Sequence, residues 1–572
     1  MRYLALVSDY DGTLAHDGVV DGATVQAVER VRASGRRVVL VTGRELDDLQ
    51  RVFPRLELFD RVVAENGALL YRPEEREEVP LGEAPPREFV DALQARRVDP
   101  LSVGRVIVAT WHPNEDVVLD TIRELGLELQ VIFNKGAVMV LPSGVNKASG
   151  LQAALGELRL SPHNAVGIGD AENDHAFLTL CECAVAVENA LPALKERCDL
   201  VTDADHGRGV AELAERLLAT DLQELESELT RHDVLLGTRS GQEVLFPPYG
   251  RGLLVAGPSG SGKSSLAGGL LERLAEAGYQ FCLVDPEGDY ESFAGAVTIG
   301  DAQRAPRETE TLELLERSDQ NVVVNLLGQP LDDRPGFFQG LLPQLQALRS
   351  RVGRPHWLVV DEAHHMLPST WQPASSTLPR EIGSMLLISV HPDAIAPAAL
   401  AAIDAVVAVG EGAEDVFRSF AALRGLEPPT LPDRGSDEVL LWRAGERRAL
   451  ALEPAGGKVA LQRHRRKYAE GELGEDKSFY FRGPDGRLNL RAQNLVLFLQ
   501  LAEGVDDETW LHHLRAGDYS RWVRNAIKDD ELATEIAAVE KEAVDPAESR
   551  ARIRELVEVR YTLPSRPTSG AA

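Results

Sequence analysis

The chain is poor in cysteine, with four in 572 residues, and none of them stands in a C-x-x-C pair. A disulfide scaffold therefore does not organise it. Cys181, Cys183, Cys198 and Cys282 are expected as reduced, partly buried thiols, with metal binding by Cys181 and Cys183 as the alternative. No apolar run approaches the ~20 residues of a membrane span. The N-terminus enters a strand pattern at once, without a signal-peptide pattern, and the cytosol is the expected compartment. Basic residues are also scarce: 61 Lys and Arg face 90 Asp and Glu, for a formal net charge of −29. Binding a phosphate backbone needs a local surplus of cations, so the bulk charge counts against a nucleic-acid protein. It leaves room for a local patch, and for a phosphate substrate whose charge is handled inside a site. What remains is an ordinary globular composition, 44% hydrophobic and 26% charged, long enough for about three or four domains.

The apolar run Tyr3–Val7 reads as a buried parallel strand and ends in Ser8-Asp9-Tyr10-Asp11-Gly12-Thr13. Carboxylates at i and i+2 point the same way, and Gly12 lets the chain turn after them. Tyr10 faces the other side. Ala23–Ser34 has helical spacing, Arg37–Val41 reads as a strand ending in Thr42-Gly43-Arg44, and Arg61–Ala64 runs into the turn Glu65-Asn66-Gly67. Alternating strands and helices predict a parallel, doubly wound α/β sheet with ligands at the carboxyl ends of its strands. Residues from about 75 to 145 break the rhythm and read as an inserted α/β cap, with a strand at Gly104–Ala109 and a helix at Glu115–Leu125. The alternation resumes with a strand at Ala137–Leu141, then Asn146-Lys147 opening a helix. A further strand, Ala165–Ile168, ends in Gly169-Asp170-Ala171-Glu172-Asn173-Asp174.

The ordered series DxDGT, TGR, Lys, GDxxND resembles the haloacid dehalogenase phosphatases with a type-II cap, the Cof-like and sugar-phosphatase branch, over residues 1 to about 218. The resemblance implies an Mg²⁺-dependent phosphomonoesterase. Asp9 would be the nucleophile that forms an aspartyl-phosphate, and Asp11 the general acid and base. Mg²⁺ would be held by Asp9, Asp170 and the backbone carbonyl of Asp11, with Asp174 supporting the shell. Thr42, Gly43, Lys147 and Asn173 would hold the substrate phosphate.

A second phosphate motif follows the strand pattern Gly252–Ala256: Gly257-Pro258-Ser259-Gly260-Ser261-Gly262-Lys263-Ser264-Ser265, a full GxxxxGK[ST]. Its backbone N–H groups would surround the phosphates of ATP, Lys263 would reach the β and γ groups, and Ser264 would ligate Mg²⁺. Trp357–Val360 leads into Asp361-Glu362, for Mg²⁺ and for the attacking water respectively. This stretch, with Asp285–Tyr290, Asp361–His365 and Leu386–His391, resembles the HerA/FtsK-type ATPases over about 230–450. The resemblance implies ATP hydrolysis and a homo-oligomer, and leaves the arginine finger open among Arg351, Arg354, Arg380 and Arg418. His364 and His365 are expected in packing or polar roles, facing different directions.

Gln462–Lys467 is a basic run, read as a solvated linker with a nucleic-acid patch as the alternative. Phe479–Gly486 suggests a hairpin or turn. Amphipathic helices are expected at Leu490–Ala502, Asp507–Leu514, Tyr519–Ile527 and Asp530–Ala543. Trp510, His512, His513 and Trp522 are expected in a packed bundle rather than a site. The resulting division is a first domain at 1–220 (core 1–74 and 146–220, cap about 75–145), a second at 230–455, a linker at 456–478, a helical domain at 479–563 and a disordered tail at 564–572. The leading functional expectation is a phosphatase for a small phosphorylated metabolite, such as a sugar phosphate, fused to an ATP-binding and hydrolysing domain. A nucleic-acid translocase or repair motor with an accessory phosphatase, and a bifunctional metabolite kinase and phosphatase, are the alternatives.

Overall fold

The computed structural model describes residues 1–561 apart from 135, 259, 292, 372–383, 436, 458–472, 474–476, 485, 487, 528 and 543–544. The basic run 462–467, Ser259, Arg380 and the tail 564–572 therefore lie outside the described residues. The chain forms two compact units, residues 1–286 with 294–458 and residues 287–293 with 459–572. Among the described residues no helix is long and apolar enough to cross a membrane.

The first domain is built on an eight-stranded sheet. Its centre is β1 (Ala5–Asp9), with β2 (Arg37–Val41) and β3 (Arg61–Ala64) on one side. These valine- and leucine-rich runs are buried on both faces, which is what a parallel strand between helical layers requires. Beyond β3 the sheet turns antiparallel through β4 (Leu69–Arg72) and β5 (Glu77–Pro80). The expected insertion from about residue 75 thus begins later than read from the sequence, because β5 still pairs in the core sheet. The cap sheet has the order β6 (Leu101–Val103), β7 (Val108–Trp111), β9 (Ala137–Pro142), β8 (Leu129–Asn134), antiparallel throughout. The stretch expected as one strand at Gly104–Ala109 is the loop Gly104–Ile107 between β6 and β7, followed by the first two residues of β7. Ala137–Leu141, where the strand alternation resumes, pairs in the cap sheet, inside the cap bounds of about 75–145. On the other side of β1 lie β10 (Ala165–Gly169), β11 (Cys183–Ala186) and β12 (Leu200–Val201), all parallel. The carboxyl ends of β10, β1 and β2 are therefore neighbours, each carrying one of the sequence motifs.

The second domain has an eleven-stranded sheet. Its parallel part runs β21 (Ala405–Ala408), β15 (Gly252–Ala256), β20 (Met385–Ser389), β19 (Trp357–Val360), β16 (Phe281–Asp285), β18 (Asn321–Asn325), β17 (Ala296–Ile299). An antiparallel edge follows β21 through β22 (Val439–Arg443) and β23 (Leu450–Pro454) to the hairpin β13 (Val234–Arg239) and β14 (Gln242–Phe246).

In the C-terminal unit β24 (Phe479–Phe481) pairs with β25 (Leu490–Ala492). Leu490–Ala492, expected inside a helix, is thus a strand, and the helix starts at Leu495 behind the Asn494 cap. Helices follow at Asp507–Ala516, Asp518–Trp522 with a wide π-type turn over Val523–Ile527, and Asp530–Lys541. A last helix, Pro546–Tyr561, was missed in the sequence, where its charged residues obscure the buried Ser549, Ile553 and Val557 at i, i+4 and i+8. Trp510 is fully buried, donates to Ser549 Oγ at 2.9 Å and stacks on Tyr519 at 4.5 Å.

The two α/β domains share a buried polar seam within the first unit. Glu182 accepts from Arg2 at 2.5 Å, from His163 Nδ1 at 2.7 Å and from the Tyr279 hydroxyl at 2.7 Å. His163 Nε2 faces the Ala277 carbonyl at 2.8 Å. Both ring nitrogens thus face oxygens that only accept, so the imidazolium completes both bonds. Arg354 donates to Arg159 O at 2.6 Å and to Leu315 O at 3.1 Å. Burial alone would raise the Glu182 carboxyl, but the hydrogen bond and charge of His163, with Arg2 beside it, hold it well below the ordinary value of 4.5. Such a group contributes stability that is complete above its unfolded pKa and lost as pH falls through the lower folded one. Glu182→Gln should therefore lower the denaturation midpoint at neutral pH, by on the order of 3–5 kcal/mol for a broken buried pair. Below about pH 4 the wild type should lose stability more steeply than the variant, as measured by denaturant titration at several pH values.

Candidate active sites

In the first domain, Lys147 sits between two carboxylates. Its Nζ lies 2.6 Å from Asp9 Oδ1 and 2.6 Å from Asp174 Oδ1, and the side chain is 2% exposed. Asn146 caps the helix Lys147–Glu157 and so aims this first-turn lysine at the sheet. The helix start presses on Gly67, where a Cβ would stand 1.9 Å from Asn146 O and where φ is +106°. Only glycine permits that approach. Gly12, at φ +89°, plays the same part for the metal-type carboxylate, since a Cβ there would meet Asp170 Oδ2 at 2.4 Å.

Asp9, Asp170 and Asp174 each offer an oxygen within 4.8 Å of the others. Three hard oxygen donors of this kind fit a magnesium-type cation. Burial, then the Asp174 charge, push the Asp9 carboxyl up, against the pull of Lys147. Asp174 is the most occupied of the set: Oδ2 accepts the backbone N–H of Asp170 and of Ala171, both at 2.9 Å, while Oδ1 holds Lys147. It ties the loop after β10 in place as well as adding charge.

Asp11 is held differently from the others. Its carboxylate is clamped by Arg44 through two bonds of 2.7 Å, Nε to Oδ2 and Nη2 to Oδ1, and Arg44 also holds Asp48 at 2.5 Å. Arg44 stood in the TGR motif without an assigned role. Thr42 is fully buried at the end of β2, its Oγ1 accepting from Arg44 N at 3.1 Å. Asn173 Nδ2 donates to Asn66 Oδ1 at 3.0 Å, while Asn173 Oδ1 is buried without a partner among the described residues. The Cβ position of Gly43 lies 3.8 Å from Asn173 Nδ2 and 3.7 Å from Met139 Sδ, so the cap strand β9 reaches the turn after β2. Tyr10 points into the core and donates to Gly18 O at 2.9 Å, away from this chemistry.

Glu65 was read only as part of a turn signal. It is 1% exposed, stands at φ +51°, and accepts three cap-loop N–H groups: Arg105 at 2.8 Å, Val106 at 2.7 Å and Ile107 at 2.9 Å. The acid before Asn66-Gly67 was the available signal, but its partners lie forty residues away.

In the second domain, the P-loop joins β15 to the helix Lys263–Glu276. Lys263 Nζ donates to Gly257 O and Pro258 O, each at 3.0 Å, and Ser261 Oγ is buried without a protein partner. Gly260, Gly262, Ser264 and Ser265 complete the described loop and helix start. Asp361 and Glu362 follow β19, and Ser389 ends β20, which lies between β19 and β15. Asp361 is fully buried and its Oδ1 accepts the Glu362 N–H at 2.9 Å. Glu362 occupies φ +40°, a conformation costing a non-glycine residue about 1–3 kcal/mol. His364 links the elements, with Nδ1 at 3.5 Å from Glu362 Oε2 and 3.3 Å from Ser389 Oγ. Burial, then His365, pull the His364 imidazole down. The rings of His364 and His365 lie 4.2 Å apart, so they lean together rather than facing different directions as expected. Arg354 is buried in the seam, Arg351 pairs with Glu316 at 2.6 Å and Arg418 with Asp415 at 2.8 Å. All three are engaged within the chain. All four cysteines are free; burial pushes Cys181, Cys198 and Cys282 each up to about 12.

A charged acceptor holding three amides predicts a measurable loss on neutralisation. Glu65→Ala should speed amide hydrogen exchange at Arg105–Ile107 by roughly tenfold or more, since each charge-assisted bond contributes about 1.5–3 kcal/mol. Exchange in β1 should be unchanged in the same experiment.

Comparison with known proteins bears on both sites. The haloacid dehalogenase-like hydrolase family matches residues 6–103 and 112–213. The central domain of helicase HerA matches residues 249–331. The chain is 30% identical over 223 residues to phosphoglycolate phosphatase 2 of Saccharolobus solfataricus, covering 38% of this chain and 93% of that protein. It is 32% identical over 217 residues to a phosphoglycolate phosphatase of Haloarcula marismortui, covering 36% and 94%. A haloacid dehalogenase-like hydrolase structure from Bacteroides thetaiotaomicron covers 38% of this chain and 99% of its own, at 19% identity and a TM-score of 0.34. Through residues 6–213 the chain belongs to the haloacid dehalogenase-like hydrolases, and it continues into a stretch, residues 249–331, that is similar to the central domain of helicase HerA.

Proposed function

We propose that the first domain is a magnesium-dependent phosphomonoesterase acting on a small phosphorylated metabolite, and that the second domain binds and hydrolyses ATP. The observation that carries this reading is the buried Asp9–Lys147–Asp174 arrangement, with Asp170 beside it, at the carboxyl end of a parallel sheet. Two carboxylates and a phosphate dianion repel one another by several kcal/mol at ~4 Å, so the site must import positive charge. Asp9, Asp170 and Asp174 would hold or support the magnesium ion, which supplies part of that charge when bound.

The protein's own groups do the rest. Lys147 pulls Asp9 toward its ionised form and orients it, leaving Asp9 Oδ2 for attack on phosphorus. Asp9 then carries the phosphoryl group while the substrate alcohol departs. Thr42 Oγ1, the amide of Asn173 and Lys147 are the donors for the phosphoryl oxygens. Asp11 supplies the proton to the leaving oxygen and later takes one from water. To do so it must first leave the Arg44 clamp, so catalysis in this reading includes a step that frees Asp11. The names of the relatives make phosphoglycolate the first substrate to test, with sugar phosphates as the comparison.

In the second domain Lys263 would exchange the Gly257 and Pro258 carbonyls for nucleotide phosphates. Ser264 and Asp361 would hold the nucleotide's magnesium, and Glu362 would orient the attacking water. The HerA match favours a second reading, a nucleic-acid motor with an accessory phosphatase, which requires ATPase activity that rises with DNA.

A phosphometabolite screen on the full chain tests both readings. Asp9→Asn should abolish phosphate release, and Asp11→Asn should slow it by about 10²–10⁴-fold. Chelation of divalent cations should stop it, and Mg²⁺ should restore it. Lys263→Ala should abolish ATP hydrolysis and leave phosphate release from the metabolite intact. Full turnover by Asp9→Asn would overturn the phosphatase mechanism.

A further inference from the structure

The C-terminal unit holds a cavity of about 410 Å³ that neither phosphate site uses. Its floor is β24 and the junction of the helices Asp507–Ala516 and Asp518–Trp522. The junction is rigidly built. His513 is 6% exposed, its Nδ1 bonds to Asp518 Oδ2 at 2.8 Å, and its Nε2 accepts the backbone N–H of Arg482 at 3.1 Å. Trp522 is 8% exposed and donates from its indole to Lys477 O at 2.9 Å. The backbones of Lys477 and Arg482, at the two ends of β24, are thereby pinned to the helices.

Their side chains, by contrast, have no carboxylate partner among the described residues. Lys477 and Arg482 are both exposed on the cavity rim, and the Arg482 guanidinium stands over the Tyr480 ring at 5.4 Å. The Tyr480 hydroxyl and the Asn525 amide, which also line the cavity, make no hydrogen bond with described residues. The lining carboxylate, Asp518, is already committed to His513 and to Arg521 at 2.8 Å. A cation ligand therefore finds no free carboxylate here. An anion finds two cations that no described carboxylate engages, and a planar ring finds an Arg–Tyr stack of the kind on which nucleobases sit.

In a chain of net charge −29, two exposed cations without a carboxylate partner among the described residues, flanking a half-buried tyrosine, stand out from the acidic surface. We propose that this cavity is a nucleotide-binding site: Lys477 and Arg482 take the phosphate, Tyr480 with the Arg482 plane takes the base, and Asn525 offers hydrogen bonds to the base edge. The volume lies in the range of about 300–1,000 Å³ of small-ligand pockets, enough for a single nucleotide. That unit occurs both free and within a single strand, and the binding experiment separates the two sources.

The test uses the full chain carrying Lys263→Ala, which weakens competition from the P-loop, with two probes. AMP is titrated by calorimetry, and a fluorescent 5′-phosphorylated oligothymidylate of eight residues by anisotropy, both at low salt. At least one probe should bind. Adding Lys477→Glu with Arg482→Glu should weaken that binding by tenfold or more, and Tyr480→Ala should weaken it by about fivefold or more, as expected for a lost stack contributing about 1–3 kcal/mol. If the strand binds, its log–log salt slope should become shallower by about 1.4 in the charge variant, or ~0.7 for each lost phosphate contact. Binding of AMP assigns the site to free nucleotides, and binding of the strand alone assigns it to single-stranded nucleic acid. Unchanged near-ultraviolet circular dichroism will show that the bundle around Trp510 and Trp522 is intact. Failure of both probes to bind, or equal affinity before and after charge reversal in a folded variant, overturns the proposal.

Discussion

The first domain depends on one buried cation, Lys147, set between Asp9 and Asp174. Carboxylates at the end of a buried strand have lost most of their hydration, and each additional one raises the cost of keeping the others ionised. Lys147 offsets that cost for two of them at once. Its own placement rests on the Asn146 cap and on the bare backbone of Gly67. Asp174 in turn holds the amides of the loop that carries Asp170. Asp9, Lys147 and the loop after β10 are therefore one mechanical assembly, and a change at any member is transmitted to the rest.

The two phosphate motifs of this chain share a frame. The strand β10 begins two residues after His163 in the seam and delivers Asp170 at its other end. The helix Lys263–Glu276 begins at the P-loop lysine and is followed by Ala277, whose carbonyl meets His163. Each site thus stands at the far end of an element anchored at the same buried cluster. Arg354, with its resemblance-derived candidacy as a finger, belongs to that cluster instead: full burial and several carbonyl acceptors give it a structural role.

The cap is tied to the core by backbone amides gathered on a single acid, Glu65. This arrangement constrains where the loop Gly104–Ile107 sits, with Val106 and Ile107 buried behind it. Arg44 adds a second constraint by occupying Asp11, the group expected to move a proton. The described arrangement is thus one in which Asp9 is set by Lys147 and Asp11 is restrained by Arg44.

The sequence by itself determined the strands β1, β2, β3 and β10, because runs of buried valine and leucine bounded by glycine and polar turns admit few other readings. It also determined the motif residues, since Asp9, Thr42, Lys147, Asp170 and Lys263 each follow a strand or open a helix. Tertiary structure alone decided which sheet β5 and Ala137–Pro142 join, because strand pairing is a long-range choice that local periodicity does not encode. It alone revealed the Arg44 clamp, the Glu65 nest, the His163–Glu182 seam and the rim cations Lys477 and Arg482. In each of these the partners are distant in sequence or the significant fact is a missing partner. A chain of residues carries propensity and spacing; the identity of the group that faces a given charge appears only when the fold brings the two together.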